Sequence, residues 1–260
     1  MDHGLLTDWY DYPQFYDLAC RDTARVEAAF IEAACRKHVS FPVRRLLEPG
    51  CGSGRLIVAL AARGFDVTGF DHNPKAIAYL KRKLARRSLS ARVYQGNMAS
   101  FTLPRPVDAA FCTFNTFRHL LTEADARSHL ECVANCLRPG GICILGFHLL
   151  PLDVAEEAEE RWRTRHGSTH LHVTLRVVHT DRRRRIERLG INLHVRTPKR
   201  THRIQSEFPL RMYTAGQFRR LLSSVPAFEL SDVYDFWYDL ERPRKLDDDL
   251  IDAVFILRRR

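Results

Sequence analysis

Between residues 43 and 148, short apolar runs alternate with stretches of helical period. Residues 43–48 are an apolar run ending at a glycine-rich turn, and 53–63 then place Leu56, Ile57, Leu60 and Ala61 on one helical face. Residues 66–70 read as a second strand. Residues 74–87 open with proline in the first turn and continue as an amphipathic helix. Further strands are expected over 91–94, 107–114 and 142–147. A helix over roughly 123–137 is stopped by Arg138-Pro139-Gly140-Gly141. Strand–helix alternation of this kind predicts a parallel sheet covered on both faces.

After Leu150 the period changes. A charged helix is expected over 154–163, followed by three runs that alternate with period two. Leu171, Val173, Leu175 and Val177 share a face in the first run; Leu189, Ile191, Leu193 and Val195 do in the second; Ile204, Phe208, Leu210 and Met212 do in the third. This predicts a three-stranded antiparallel insert with one apolar face, which needs a partner. Pairing the first two runs around Arg182 sets Leu171 opposite Leu193 and Val173 opposite Ile191. It also sets His170 opposite His194 and His172 opposite Asn192 on the polar side. No metal site is assigned, but that register would let His170 and His194 share a divalent ion; the alternative is a solvated polar face. Helix over 215–223 and strands over 228–236 and 252–258 close the chain.

Composition narrows the class. The 260 residues are 45% hydrophobic, enough for one sizeable core. No stretch approaches 18 uncharged apolar residues, and the polar, aromatic start (Asp2, His3, Asp8, Trp9, Tyr10) lacks a signal-peptide pattern. Seven scattered cysteines without a CxxC pair read as reduced core thiols of a cytoplasmic protein. The formal charge of +10 is mostly arginine spread along the chain, which fits either a codon preference or anionic partners.

The stretch that bears on chemistry is Leu46-Leu47-Glu48-Pro49-Gly50-Cys51-Gly52-Ser53-Gly54-Arg55. Glycines between a strand and a helix let the backbone turn sharply and approach a ligand, while the helix start offers free N–H groups to an anion. A P-loop would need Gly-Lys-Ser/Thr where Gly54-Arg55-Leu56 stands. A dinucleotide fingerprint would need Gly or Ala at Arg55 or at Ile57. Both fail. Asp71, about 20 residues beyond the turn, is placed to accept ribose hydroxyls, or to cap the following helix.

The pattern E-x-G-x-G-x-G resembles motif I of class I methyltransferases, which bind S-adenosylmethionine. Gly96-Asn97-Met98 resembles the family's Gly-Asp-Met. The resemblance implies that Asn97 meets the adenine amino group and that Met98 covers the ring. Phe114-Asn115-Thr116-Phe117 stands where the family holds the reacting methyl, and Arg138-Pro139-Gly140-Gly141 is a common family feature. It implies a Rossmann-like, doubly wound, mostly parallel seven-stranded α/β sheet with the insert after the fifth strand. The cofactor set it implies is Tyr16, Glu48, Gly50, Cys51, Gly52, Gly54, Arg55, Asp71, His72, Asn97, Met98 and Phe114. Glu48 reads equally as a turn cap and Cys51 as a small filler. Tyr10, Tyr12 and Tyr16 resemble a segment that folds over the cofactor, or serve as packing aromatics. The insert is similar to the lids of small-molecule N-methyltransferases.

The expected organisation is an N-terminal helical lid segment (1–40), a cofactor-binding core (41–150), a helix plus β insert acting as lid or homodimer contact (151–212), and the rest of the core (213–260). Candidate catalytic residues are Asn115, His119 and His148 at strand carboxyl ends, where open α/β sheets bind ligands; each has a purely structural alternative. The function expected is methyl transfer to a small-molecule N or O acceptor. The alternatives are a nucleic-acid methyltransferase or nucleic-acid-binding protein, and a non-catalytic cofactor-binding protein.

Overall fold

In the computed structural model, residues 8–20, 23–150 and 159–260 are described. Helices α1 (Pro13–Ala19) and α2 (Ala24–His38) precede β1 (Arg45–Pro49), α3 (Arg55–Ala61), β2 (Asp66–Asp71), α4 (Pro74–Arg86) and β3 (Arg92–Gln95). Next come β4 (Val107–Cys112), α5 (Glu123–Cys136) and β5 (Leu137–His148). The insert comprises β6 (Glu159–His166), β7 (Thr169–Asp181), β8 (Ile186–Arg196) and β9 (Thr201–Arg211). Helix α6 (Ala215–Ser223), β10 (Phe228–Tyr234) and β11 (Asp252–Arg259) complete the core. No helix among the described residues is long and apolar enough to cross a membrane.

The core is a seven-stranded sheet in the order β10-β11-β5-β4-β1-β2-β3, parallel except for β11, which runs antiparallel to both its neighbours. Period-two alternation divides its side chains between two helical layers. Leu47 joins the layer of α5 and α6, and Leu46 joins that of α2, α3 and α4. Strand β4 is buried throughout, which explains its continuous apolar run. The helices begin as capping rules dictate. The Asn73 side-chain Oδ1 accepts from the N–H groups of Lys75 and Ala76 across Pro74, Thr122 caps α5, and Thr214 and Gln217 form a capping box on α6. The helix stops where expected, α5 ending at Cys136, but 138–141 is extended: β5 starts at once at Leu137, with Gly140 at φ +77°.

Three expectations about the insert need correction. It has four strands, β6-β7-β8-β9. Residues 159–163 of the expected charged helix belong to β6; the earlier part of that helix, like Asp2 and His3, lies outside the described residues. Pairing with β7 overrides local helix propensity, and the Trp162 indole N–H donates to the Ala19 carbonyl at 3.1 Å. The β7–β8 register is displaced by two residues, giving Leu171 opposite Val195, His172 opposite His194, and His170 opposite Arg196. Alternation fixed which face each residue takes, and that held. The position along the ladder is set by the turn and by a bulge between Val177 and His179. The turn closes between Asp181 and Ile186, with the Arg184 N–H on the Asp181 carboxylate at 2.9 Å. The described residues contain no group of three or more metal-ligating side chains placed to hold an ion.

The insert's apolar face is covered from within the chain. Leu171, Val173, Ile191, Leu193 and Val195 pack against Trp9 and Leu18 of the N-terminal segment. The insert also rests on the turn after β4. Arg118 is buried and paired with Glu187 of β8, and its Nε donates to the Arg211 carbonyl at 2.8 Å.

Candidate active site

The site forms at the carboxyl edge of the parallel strands, where β1 leaves the sheet. Gly50, Gly52 and Gly54 have φ of +67°, +52° and +70°, a region that side chains disfavour. Their surroundings differ. A Cβ on Gly50 would meet Thr116 and one on Gly54 would meet Leu80, whereas one on Gly52 would meet no atom within 4 Å. Gly50 and Gly54 therefore permit close packing, and Gly52 leaves open backbone. Glu48, at the end of β1, is buried with its Oε2 unpartnered. Burial holds its carboxyl well above the usual carboxylate range. Arg55, and a backbone hydrogen bond from Ile57 near the start of α3, act in the other direction.

Asp71 ends β2 beside this turn. Its Oδ2 accepts from the Gly52 N–H at 2.7 Å and its Oδ1 from the Asn73 N–H at 2.8 Å. Burial raises its pKa, and these N–H groups oppose the rise. The Met98 sulfur lies 3.4 Å from where a Gly50 Cβ would be, which brings Met98 against the turn. Asn97 is exposed, and its Oδ1 already accepts from the Ala99 N–H at 2.9 Å. His72 is exposed and offers its carbonyl to Gln95. The Cys51 thiol packs toward Gly69 in the core, so only its backbone follows the turn. Arg55 points away from the turn: its Nη2 donates to Glu27 at 2.8 Å, and its guanidinium lies 5.2 Å from the centre of the Phe114 ring.

Beyond the end of β4, after Thr113, stand two successive left-handed residues, Phe114 (φ +60°) and Asn115 (φ +67°). Strain of this kind costs of order 1–3 kcal/mol per residue and persists where the surroundings enforce it. Here the Asn115 Oδ1 enforces it by accepting from the His148 N–H at 2.9 Å and from Arg118 at 3.3 Å. Asn115 therefore ties the ends of β4 and β5 together, and its oxygen is spent on that framework. Phe114 remains 37% exposed. The His148 Nδ1 lies 2.6 Å from the Asp252 carboxylate across the β5–β11 ladder, and its ring packs on Phe236. His119 occupies a different flank. Its Nε2 is 3.0 Å from the Tyr10 hydroxyl, and Phe208 lies beside the ring. Solvent reaches it, yet the surrounding bulk, and secondarily Arg118, lower its pKa to about 4. Tyr16 contacts Trp9 and Tyr10, completing an aromatic wall whose phenols burial keeps protonated. Tyr12 stacks instead on Phe15.

Several residues at the site carried no sequence signal. Asp11 accepts from Asn73 at 2.8 Å and from Lys75 at 2.6 Å, at the start of α4. Asp17 accepts from Ser53 at 3.2 Å, Lys83 at 2.6 Å and Tyr79 at 3.0 Å. Both carboxylates strap the N-terminal segment across the glycine turn. Glu27 is 0% exposed and also accepts from the Thr113 hydroxyl at 2.9 Å. Asp11 and Asp17 each directly follow a tyrosine, Tyr10 and Tyr16, which gave only a weak hint of their place in the segment; nothing in the sequence pointed to Glu27 or Asp252.

This sheet order, with a glycine turn after the first strand and an acidic residue ending the second, defines the Rossmann-like fold of the class I methyltransferases. Residues 46–141 match the family model described as a methyltransferase domain. That stretch runs from β1 into β5 and carries the glycine turn and Asp71. The chain is 26% identical over 201 residues to the dTDP-3-amino-3,6-dideoxy-alpha-D-glucopyranose N,N-dimethyltransferase of Streptomyces fradiae, covering 76% of this chain and 75% of that protein. It is 26% identical over 239 residues to the glycine/sarcosine N-methyltransferase of Parasynechococcus marenigrum (strain WH8102), covering 90% and 80%. Other curated relatives are matched over about half of their own length or less. The amino pentose methyltransferase of Micromonospora echinaspora, solved with S-adenosylmethionine bound, shares the fold with a TM-score of 0.75 at 20% identity, over all of both chains.

The residues at the turn fit that cofactor. Gly52 leaves room for a ligand beside the backbone, Asp71 holds its carboxylate against the Gly52 N–H at the edge of the turn, and the buried Glu48 Oε2 has no partner.

Proposed function

We propose that this chain is an S-adenosylmethionine-dependent methyltransferase acting on the amino group of a small polar acceptor. The observation that carries the reading is the open Gly52 backbone beside Asp71 and the unpartnered Glu48 oxygen. The amine assignment leans on the two relatives that overlap most of the chain, one acting on an amino sugar nucleotide and one on glycine and sarcosine.

The cofactor supplies an activated methyl group on a sulfonium. The chain's residues orient the partners, which alone is worth about 7–11 kcal/mol in well-aligned reactions. Trp9, Tyr10 and Tyr16, held down by Asp11 and Asp17, exclude water from the glycine turn. An amine arrives protonated at neutral pH, so a base must free its lone pair. His148 suits that role. Asp252 engages Nδ1, which fixes the tautomer and leaves Nε2 as the accepting nitrogen. His119, with a pKa of about 4, is a weak base and serves as a neutral hydrogen-bond partner for Tyr10. Asn115 positions His148 through its backbone. Because the insert's apolar face is filled by the N-terminal segment, this reading makes the insert a lid and not a homodimer contact. We place the enzyme in the cytoplasm because its seven cysteines are free thiols, as a reducing compartment keeps them.

The test is release of S-adenosylhomocysteine against a panel of amino sugars, nucleotide-linked amino sugars, glycine, phenols and nucleic acids. Turnover confined to amines is the expected result. Turnover confined to phenols or to nucleic acid overturns the acceptor assignment, and no cofactor binding in calorimetry overturns the whole reading.

A further inference from the structure

The chain's positive charge is concentrated in one place. Residues 159–211 hold fourteen Arg and Lys against five Asp and Glu, a net of +9, out of +10 for the whole protein. The other 207 residues are close to neutral, at +1. A codon preference for arginine would enrich the whole chain and does not account for this. The same 53 residues hold six of the twelve histidines.

The four-stranded ladder shows where the charge goes. Its inner face packs on Trp9 and Leu18, so the opposite face carries the polar residues. One cross-strand row reads Arg163, His172, His194, Arg203, and the next reads Arg165, His170, Arg196, Thr201. All eight side chains are exposed, and neither row contains a carboxylate, a Phe, Tyr or Trp, or an aliphatic residue. Lys199 and Arg200 extend the basic surface at one hairpin tip; toward the other, Glu159 and Glu207 are paired with Arg161 and Arg188, and Arg183 and Arg184 stand exposed at the tip itself. The eleven residues of β8 between those tips span about 36 Å at ~3.3 Å per residue, close to one turn of a DNA duplex.

We propose that the outer face of the insert is a tether for duplex DNA that grips the phosphate backbone without reading sequence. Guanidinium groups match phosphate oxygens bidentately. The rows hold imidazoles but no Phe, Tyr or Trp, the broad rings on which single-strand grooves chiefly stack their bases. The absence of apolar side chains there removes the wedge that seats a surface in a bilayer. A twisted antiparallel sheet follows a cylinder better than a plane, which favours a duplex over a membrane. A second copy packed face to face would set arginine rows against each other, so the face is not self-complementary. The face points away from the N-terminal segment over the glycine turn. The tether therefore locates the enzyme and does not present DNA to the methyl group, and it stands apart from the acceptor reading.

The experiment is fluorescence anisotropy with a labelled 30-base-pair duplex DNA between 50 and 200 mM salt. Parallel arms use duplex RNA of the same sequence, phosphatidylserine vesicles and polyglutamate. Wild-type protein should bind DNA with an affinity that falls steeply with salt. The variant Arg163→Gln/Arg165→Gln/Arg196→Gln/Arg203→Gln should lose at least about tenfold in affinity at low salt. Its log–log salt slope should drop by about 3–4, from ~0.9 per phosphate contact. A charge-matched control on the exposed side of α4, Lys81→Gln/Arg82→Gln/Arg86→Gln/Arg87→Gln, should bind within about twofold of wild type, since phosphate contacts and not net charge set the slope. Equal losses in the two variants overturn the proposal, as does tighter binding to RNA, vesicles or polyglutamate than to DNA. Methyl transfer to the small acceptor should be unchanged in the insert variant, so the two proposals fail separately.

Discussion

Asp17 and Ser53 stand 36 residues apart in the chain, and their side chains meet at 3.2 Å. One belongs to the first helix and the other to the glycine turn, so this contact holds the N-terminal segment against that turn. Lys83 shares the same carboxylate from a largely buried position. Removing Asp17 therefore leaves a half-buried ammonium unpaired as well as freeing the strap. Asp17→Ala should lower stability by about 1–3 kcal/mol and accelerate cofactor release about tenfold. Asp17→Asn, which can still accept from Ser53 and Tyr79, should lose less of both. Urea denaturation and stopped-flow displacement measure the two effects. Equal release rates in wild type and Asp17→Ala would show that the segment is not a lid.

Gly52→Val and Asp71→Ala should each reduce S-adenosylmethionine affinity at least a hundredfold while the protein remains folded. A Cβ at Gly52 meets no protein atom within 4 Å, so a side chain there projects into the space from which a ligand must approach the backbone. Its φ of +52° adds a strain of roughly 1–2 kcal/mol, too little to unfold an ordinary domain. Titration calorimetry with circular dichroism as the folding control decides it. Near-normal affinity in both variants removes the glycine turn from the site.

The alternating core was legible because each strand of a parallel sheet is apolar and each helix between strands is periodic. The glycine turn was legible because sharp turns need glycine at fixed positions. What escaped the sequence depends on distance in three dimensions. Asp252 reaches His148 only because β11 pairs with β5, a partnership that no local pattern announces. Glu27 looks like an ordinary helical glutamate until α2 carries it under Arg55. The β7–β8 ladder shows the limit from the other side. Period two fixed that His172 and His194 share the outer face, yet the turn and bulge moved the register by two residues. The concentration of charge in residues 159–211 was open to counting from the start, and a whole-chain total concealed it.

His148→Ala should lower kcat by about 10²–10⁴, the usual contribution of a general base, with little change in the KM for cofactor. Asp252→Asn, which keeps the shape but removes the charge that fixes the tautomer, should lower kcat by about tenfold. A merely structural histidine would give similar losses through misfolding, so two further readouts are needed. Added imidazole should partly restore His148→Ala. Raising the pH above the acceptor amine's own pKa should narrow the gap to wild type, because a free amine needs no base. A gap that stays constant with pH and with imidazole places His148 in the framework alone.

Acid should destabilise this protein through His129. The residue is 0% exposed, and its Nδ1–H donates to the Met98 carbonyl at 2.8 Å. Its Nε2 is buried without a partner, so protonation there would place an unpaired cation in the core. Burial accordingly lowers its pKa to about 4, and the Met98 hydrogen bond offsets this only in part. In the unfolded chain the group titrates near 6.5. Between these values the unfolded state binds the extra proton, so stability is full above about pH 6.5 and falls as the pH drops toward 4. From pH 7.5 to pH 5 the loss from this one group is about 2 kcal/mol. Urea denaturation of wild type and His129→Gln at both pH values isolates it, since every other titrating group is common to the pair. Glutamine can still donate toward Met98 and does not titrate. The variant should lose about 2 kcal/mol less than wild type over the interval, even if it starts less stable. An identical pH dependence in the two proteins would mean that His129 takes up its proton as readily in the folded core as in the unfolded chain.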